Sequence, residues 1–171
     1  MSPEPSRVRL RPATIDDVPT LERWDAEPHV AGAIGADGLR ERDWRAEWFP
    51  PLRGWVELLI AEVEGRAVGV VQIIDPAEDE TAYWGPSPRG LRALDIWIGD
   101  AADLGRGYGT EMMRLAAARC FEDPSVAAIL LDPLASNTRA HRLYERLGYR
   151  AVERRRFGDD DCVVYRLDRP A

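Results

Sequence analysis

The sequence predicts an α/β fold in which one domain, residues 1–171, is built on a central mixed, mostly antiparallel sheet flanked by helices. Three observations carry that expectation. Two apolar stretches, Trp55–Val63 and Ala67–Ile74, are broken only by the turn signal Glu64-Gly65 and read as a hairpin. Strands alternate with helices only in the second half of the chain, so the sheet is mixed rather than doubly wound. The chain has 171 residues, 45% hydrophobic and 31% charged, which suits a single sizeable core.

The elements follow in order. Val8 to Pro12 alternates and opens the chain as a strand closed by proline. Thr14 caps a helix with Asp16 and Asp17 in its first turn, running to about Trp24. Gly32, Gly35 and Gly38 mark a loop, and residues 41–49 form a short helix ended by Pro50-Pro51. After the hairpin, residues 75–90 are acidic and rich in Pro and Gly, hence a loop, and Leu94–Ile98 is a strand. A glycine-rich turn, Gly105 to Gly109, leads into a helix over 110–121 with Met112, Met113, Leu115 and Ala116 on one face. Residues 126–131 are a buried strand, and a helix over 137–147 ends at Gly148. Residues 149–153 and 162–167 close the chain as two strands around a turn at Gly158-Asp159.

Composition excludes several classes of function. Net charge is −7, which argues against a nucleic-acid binder and favours a cationic partner steered by long-range attraction. No apolar run approaches the ~20 residues of a membrane span, and the start of the chain lacks a secretory signal, so a cytoplasmic protein is expected. Cys120 and Cys162 sit in apolar stretches without CxxC spacing and read as core residues; no metal site is expected. All 23 basic residues are arginine.

Two motifs carry chemistry. In Leu104-Gly105-Arg106-Gly107-Tyr108-Gly109-Thr110, between a strand and a helix, glycines let backbone N–H groups approach a phosphate and the helix adds its positive end. Arg106 adds charge. A turn of this kind also occurs for geometry alone. A dinucleotide fingerprint fits poorly because Thr110 stands where a third glycine belongs, and a P-loop is excluded because there is no lysine. The second motif runs from Asn137 to Tyr149: Asn137 caps a helix whose apolar face holds Ala140, Leu143, Tyr144 and Leu147. By itself this pattern makes Tyr144 a core aromatic.

Together the two segments resemble the GNAT superfamily of N-acetyltransferases. The turn matches its Q/R-x-x-G-x-G/A signature, with Leu104 departing at the first position, and the second segment matches N-x-x-A-x-x-x-Y-x-x-x-G-F/Y. A narrower resemblance, to aminoglycoside 6'-N-acetyltransferases, rests on Arg92-Ala93-Leu94-Asp95, Phe121-Glu122-Asp123-Pro124, Leu131-Asp132-Pro133 and the loop holding Tyr83-Trp84-Gly85. The resemblance implies a GNAT fold and acetyl-CoA as cosubstrate, held by Ile96, Trp97, Ile98, residues 104–110 (Leu104, Gly105, Arg106, Gly107, Tyr108, Gly109 and Thr110) and Asn137. It implies Asp95 and Tyr144 as the catalytic pair, and Trp84, Asp95 and Asp132 as contacts for a small cationic amine. A mid-strand Asp95 could take the amine proton, directly or through a water, and Tyr144 could protonate the leaving thiolate. For Asp132, a plain turn role before Pro133 stays open.

His29 and His141 are expected to be surface or structural residues, and Trp44 and Trp48 to share a helix face in the core or at an interface. Trp84, an aromatic in an acidic loop, suits a polyammonium sugar. Three functions are therefore weighed: acetylation of an aminoglycoside, acetylation of another amine (a siderophore precursor, a polyamine or a protein N-terminus), and a non-catalytic acetyl-CoA sensor. The protein is expected to be a monomer or homodimer.

Overall fold

The structure is a computed structural model that describes residues 7–34, 43–49 and 53–171. Its elements are β1 (Val8–Pro12), α1 (Val18–Asp25), α2 (Pro28–Ile34), α3 (Trp44–Trp48), β2 (Val56–Val63), β3 (Arg66–Ile74), β4 (Leu91–Ile98), α4 (Tyr108–Glu122), β5 (Ala128–Leu131), α5 (Thr138–Arg146), β6 (Arg150–Phe157) and β7 (Asp160–Asp168). The strands form one sheet in the order β1-β2-β3-β4-β5-β7-β6. Only β4 and β5 run parallel.

That parallel pair is short. It holds together at Leu91↔Ala128, Arg92↔Ile129 and Ala93↔Leu130, and no further. Beyond Ala93, β4 continues to Ile98 with β3 on one side, while β5 ends at Leu131 and stays with β7. The two strands diverge, and among the described residues the β5-side edge of β4 from Leu94 onward has no strand partner. On that edge, every second residue points its backbone N–H and C=O into the gap, where they need an outside partner.

Strand alternation sorts side chains onto two faces. Leu59, Val71, Leu94 and Leu131 face α4 and α5, where Met112, Met113, Ala116 and Tyr144 close over them. Leu58, Ile60, Val70 and Trp97 face α1 to α3, where Val18, Leu21, Trp24, Val30 and Trp44 pack. A smaller cluster of Trp84, Ala93, Phe157, Cys162 and Val164 packs the acidic loop against β4, β6 and β7. Trp44 and Trp48 share a face as expected, with ring centroids 5.6 Å apart, and Trp44 is fully buried. Both cysteines are free and buried.

Several sequence expectations need correction. The stretch read as a loop around Gly32 begins as α2. Pro28 opens that helix, its fixed φ suiting the first turn, and Val30 is driven into the core. Gly35, Gly38, Glu41 and Pro50-Pro51 lie outside the described residues. Thr14 precedes a 3-10 turn, Ile15–Asp17, where the Asp17 carboxylate accepts the Thr14 N–H at 2.8 Å. β6 and β7 are longer than hydrophobicity indicated. They extend to a two-residue turn between Phe157 and Asp160 because the charged run Arg154-Arg155-Arg156 pairs through its backbone with β7.

The turn before α4 is anchored from behind. Asp103, 4% exposed, accepts two hydrogen bonds from Arg66 at 2.7 and 2.8 Å, tying the turn to the β2–β3 hairpin. The Arg66 hydrogen bonds hold the Asp103 carboxyl below the usual carboxylate range. Because the folded value is depressed, this contribution is fully present above pH ~4 and is lost as pH falls through the folded value. Arg66 is half exposed, so we expect Asp103→Asn to cost only about 1 kcal/mol at pH 7, and less towards pH 3. Chemical denaturation of both proteins at the two pH values checks this; an equal difference at both removes the ion pair as its cause.

Candidate active site

Two cavities meet along the gap between β4 and β5. The first, of about 530 Å³, runs over the glycine turn and along α5. Gly105 and Gly107 adopt φ of +75° and +84°, left-handed values that side chains rarely tolerate, and Gly107 is the N-cap of α4. That cap carries no side chain, so the first-turn N–H groups of Tyr108, Gly109 and Thr110 have no intrahelical acceptor and no capping oxygen. A 15-residue helix adds its positive end at the same point. Three arginines, Arg139, Arg142 and Arg146, line the cavity from one face of α5. The site therefore has the donors and charge an anionic phosphate group requires.

The second cavity, of about 340 Å³, opens between the acidic loop, β3, β4 and the segment after β5. Four carboxylates line it, those of Asp79, Asp95, Asp132 and Asp160, and no arginine does among the described residues. Asp95 projects from β4 on the same face as Trp97, opposite Gln72 of β3. Asp132 directly follows β5 and accepts a 2.6 Å hydrogen bond from the Tyr83 hydroxyl. Burial raises the Asp132 pKa above the ordinary carboxylate value, against the opposing pull of the Tyr83 hydrogen bond and the Arg155 charge.

The cavities share part of their walls at Ile96, Trp97, Asn137 and Tyr144. Asn137 caps α5, its side chain accepting the Ala140 N–H at 3.1 Å. Tyr144 is 8% exposed, and its hydroxyl has no protein hydrogen-bond partner among the described residues. Burial raises the Tyr144 pKa, and the nearby charges of Asp95 and Asp132 raise it further. The phenol is therefore protonated at neutral pH. The hydroxyl is not among the fully buried polar atoms, so it is open to the cavities for an incoming acceptor.

Of the residues expected to hold a cofactor, Ile96, Trp97, Ile98, Leu104, Gly105, Gly107, Tyr108, Gly109, Thr110 and Asn137 all line the first cavity. Arg106 does not. Its side chain turns back to donate to the Ala102 carbonyl at 2.9 Å, so it stabilises the turn instead of lining the cavity. Trp84, Asp95 and Asp132 all line the second cavity, but Trp84 is a wall residue, 5% exposed and packed edge-on against Phe157. The accessible aromatic is its neighbour Tyr83, 49% exposed and stacked on Phe157 at 4.7 Å. The acidic loop is largely spent on ion pairs: Asp75 with Arg92, Glu78 with Arg89 and Glu80 with Arg53. His141 has the structural role expected of it, bridging Tyr165 and the Leu134 carbonyl. His29 caps the Ile98 carbonyl at 3.0 Å from the rim of the first cavity.

Gln72, Tyr83 and the α5 arginines were not singled out by the sequence. The arginines repeat at positions 139, 142 and 146, a one-face helical spacing that was available to be read. Gln72 is a lone polar residue in an apolar strand, also a visible signal. Nothing in the sequence tells Tyr83 from Trp84.

A sheet splayed between two parallel strands, an anion cradle on one side and an acidic pocket on the other define an enzyme class that joins a phosphate-bearing donor to a cationic acceptor. Comparison with known proteins gives the family. The model of the acetyltransferase (GNAT) domain matches residues 14–157. Aminoglycoside N(6')-acetyltransferase type 1 of Klebsiella pneumoniae is 30% identical over 147 residues, spanning 83% of this chain and 73% of that protein. Lysine N-acyltransferase MbtK of Mycolicibacterium paratuberculosis is 29% identical over 164 residues, spanning 94% and 73%. Among solved structures, AAC(6')-Ib in complex with ribostamycin and coenzyme A superposes with a TM-score of 0.86 at 28% identity, covering 95% of this chain and 93% of that one. The chain belongs to the GNAT acetyltransferase family.

Proposed function

We propose that this protein transfers the acetyl group of acetyl-CoA to the 6'-amine of an aminoglycoside, within one domain that runs the length of the chain. The observation that carries the reading is the meeting of an anion cradle and a four-carboxylate pocket at a shared wall that includes Tyr144. Solved relatives bind coenzyme A together with kanamycin or ribostamycin, and curated relatives carry aminoglycoside acetyltransferase names. A cytoplasmic location suits a chain whose described helices include none long and apolar enough to cross a membrane.

The donor's pyrophosphate would rest on the N–H groups of Tyr108, Gly109 and Thr110, and its pantetheine arm in the gap beside Ile96, Trp97 and Ile98. The acceptor's ammonium groups would pair with Asp95 and Asp132 by charge-assisted hydrogen bonds. Asp95, directly or through a water, takes a proton from the reacting ammonium. The freed nitrogen lone pair attacks the thioester carbonyl carbon, the C–S bond breaks as the nitrogen sheds its second proton to water, and Tyr144 supplies the proton that the departing thiolate takes up. Asp95 releases its proton to solvent and Tyr144 regains one from it, so the net products are an amide, a free thiol and one proton.

A thiol-release assay over paired aminoglycosides tests the acceptor. Kanamycin- or tobramycin-type compounds with a 6'-amine are expected to turn over, and analogues with a 6'-hydroxyl to do so little, with product mass confirming a single acetyl group. The rate should fall as salt rises, because four carboxylates attract the substrate over distance. Equal rates on both classes refute the regiochemistry. Turnover of a lysine side-chain amine without any aminoglycoside would favour the second reading, to which the lysine N-acyltransferase likeness points.

A further inference from the structure

Gln72 is a buried polar residue that the reaction as described does not use. It lies in β3 between Val71 and Ile73, is 5% exposed, and lines the acidic cavity. Its carboxamide has no hydrogen-bond partner among the described residues. Its amide atoms are not among the fully buried polar atoms left without a partner, so they open onto the cavity, and a leucine would fill the strand position equally well. Packing alone therefore gives no reason for a glutamine here.

Its position supplies one. Gln72 stands directly opposite Asp95 in the antiparallel β3–β4 pair, so both side chains leave the sheet on one face, their Cβ atoms about 5 Å apart. Both enter the cavity whose far wall holds Tyr144. A primary ammonium next to Asp95 offers more hydrogens than one carboxylate receives. Once Asp95 has taken one proton, the amine keeps two N–H groups, and only a fixed acceptor for one of them sets the direction of the lone pair.

We propose that Gln72 orients the reacting amine: its side-chain carbonyl accepts one amine N–H while Asp95 takes the proton, aiming the lone pair at the thioester. This rests on the reading of the acidic cavity as the acceptor site. Gln72 is then a substrate-orienting residue whose amide faces the acceptor across the cavity.

The test compares Gln72→Leu and Gln72→Glu with the wild type in steady-state kinetics, in calorimetric binding of acetyl-CoA and in thermal melting, using the best acceptor of the amine panel. Gln72→Leu should lower kcat/KM by roughly 10- to 100-fold, as expected for losing a hydrogen bond to a reacting polar group. Acetyl-CoA affinity should stay within about twofold, and Tm should stay level, since Gln72 makes no side-chain hydrogen bond to a described residue that the variant would break. Gln72→Glu keeps an acceptor oxygen in the same place and should recover most of the loss. An unchanged kcat/KM in Gln72→Leu overturns the assignment. So does a fall in activity accompanied by a lower Tm in both variants, which would make Gln72 structural. Wild-type turnover on aminoglycosides reads the acceptor class independently. If only another amine is accepted, that substrate proposal fails while the variant comparison still decides the role of Gln72.

Discussion

Tyr144→Phe is expected to lower kcat by roughly 10²- to 10⁴-fold, the usual worth of a positioned general acid, while leaving acetyl-CoA affinity nearly unchanged. The substitution keeps the ring that packs 6.0 Å from Tyr149 and 5.9 Å from Tyr165, so the core should not loosen. What it removes is a hydroxyl with no hydrogen-bond partner among the described residues, whose pKa burial raises so that it keeps its proton across the assay range. The hydroxyl makes no hydrogen bond to a described residue that the variant would break, so the variant should melt close to the wild type. Activity and stability thus move independently, which separates proton donation from packing. The check is single-turnover kinetics, where chemistry limits, beside a melting curve. A wild-type single-turnover rate would show that the thiolate is protonated from elsewhere.

How far the sequence led can be judged residue by residue. Gly107 and Asn137 were legible because each answers a local backbone demand, a left-handed φ at an open N-cap and a capping carbonyl, and local demands leave sequence patterns. Tyr144 was legible only through its spacing from Asn137 and Gly148; apolar periodicity alone made it a core residue, and by burial it is one. The α2 helix was missed because glycine lowers helix propensity, while the burial of Val30 that favours the helix depends on the sheet beneath it. Arg106 and Trp84 were read by residue type. Whether an arginine reaches a phosphate or folds back on the Ala102 carbonyl is decided by rotamers that no one-dimensional pattern encodes. The Gln72–Asp95 pairing depends on strand register, fixed only when β3 and β4 align over their whole length.

Asp132→Asn should raise KM for a 6'-amino aminoglycoside by roughly 30-fold or more, since losing one partner of a buried, hydrogen-bonded charge pair costs about 2–5 kcal/mol. The kcat should change less, because Asp95 still takes the proton. The geometry supports a charge effect without collapse: an asparagine oxygen can still accept the Tyr83 hydroxyl that now sits 2.6 Å from the carboxylate. The pH dependence adds an independent sign. Burial raises the folded Asp132 pKa above its unfolded value near 3.8. In kcat/KM, which reports the free enzyme, the wild type should lose activity on acidification earlier than an ordinary carboxylate would, and Asp132→Asn should lose that limb. Stability runs the other way. Between the unfolded and folded pKa values the native state binds more protons than the unfolded chain, so stability falls as pH rises through that window. The asparagine variant should therefore melt higher than the wild type at pH 7, with the gap closing towards pH 4. A variant that binds substrate poorly yet folds more firmly at neutral pH marks Asp132 as a group held charged for its ligand. A KM unchanged from wild type, or a Tm gap that widens on acidification, would instead return Asp132 to the turn before Pro133.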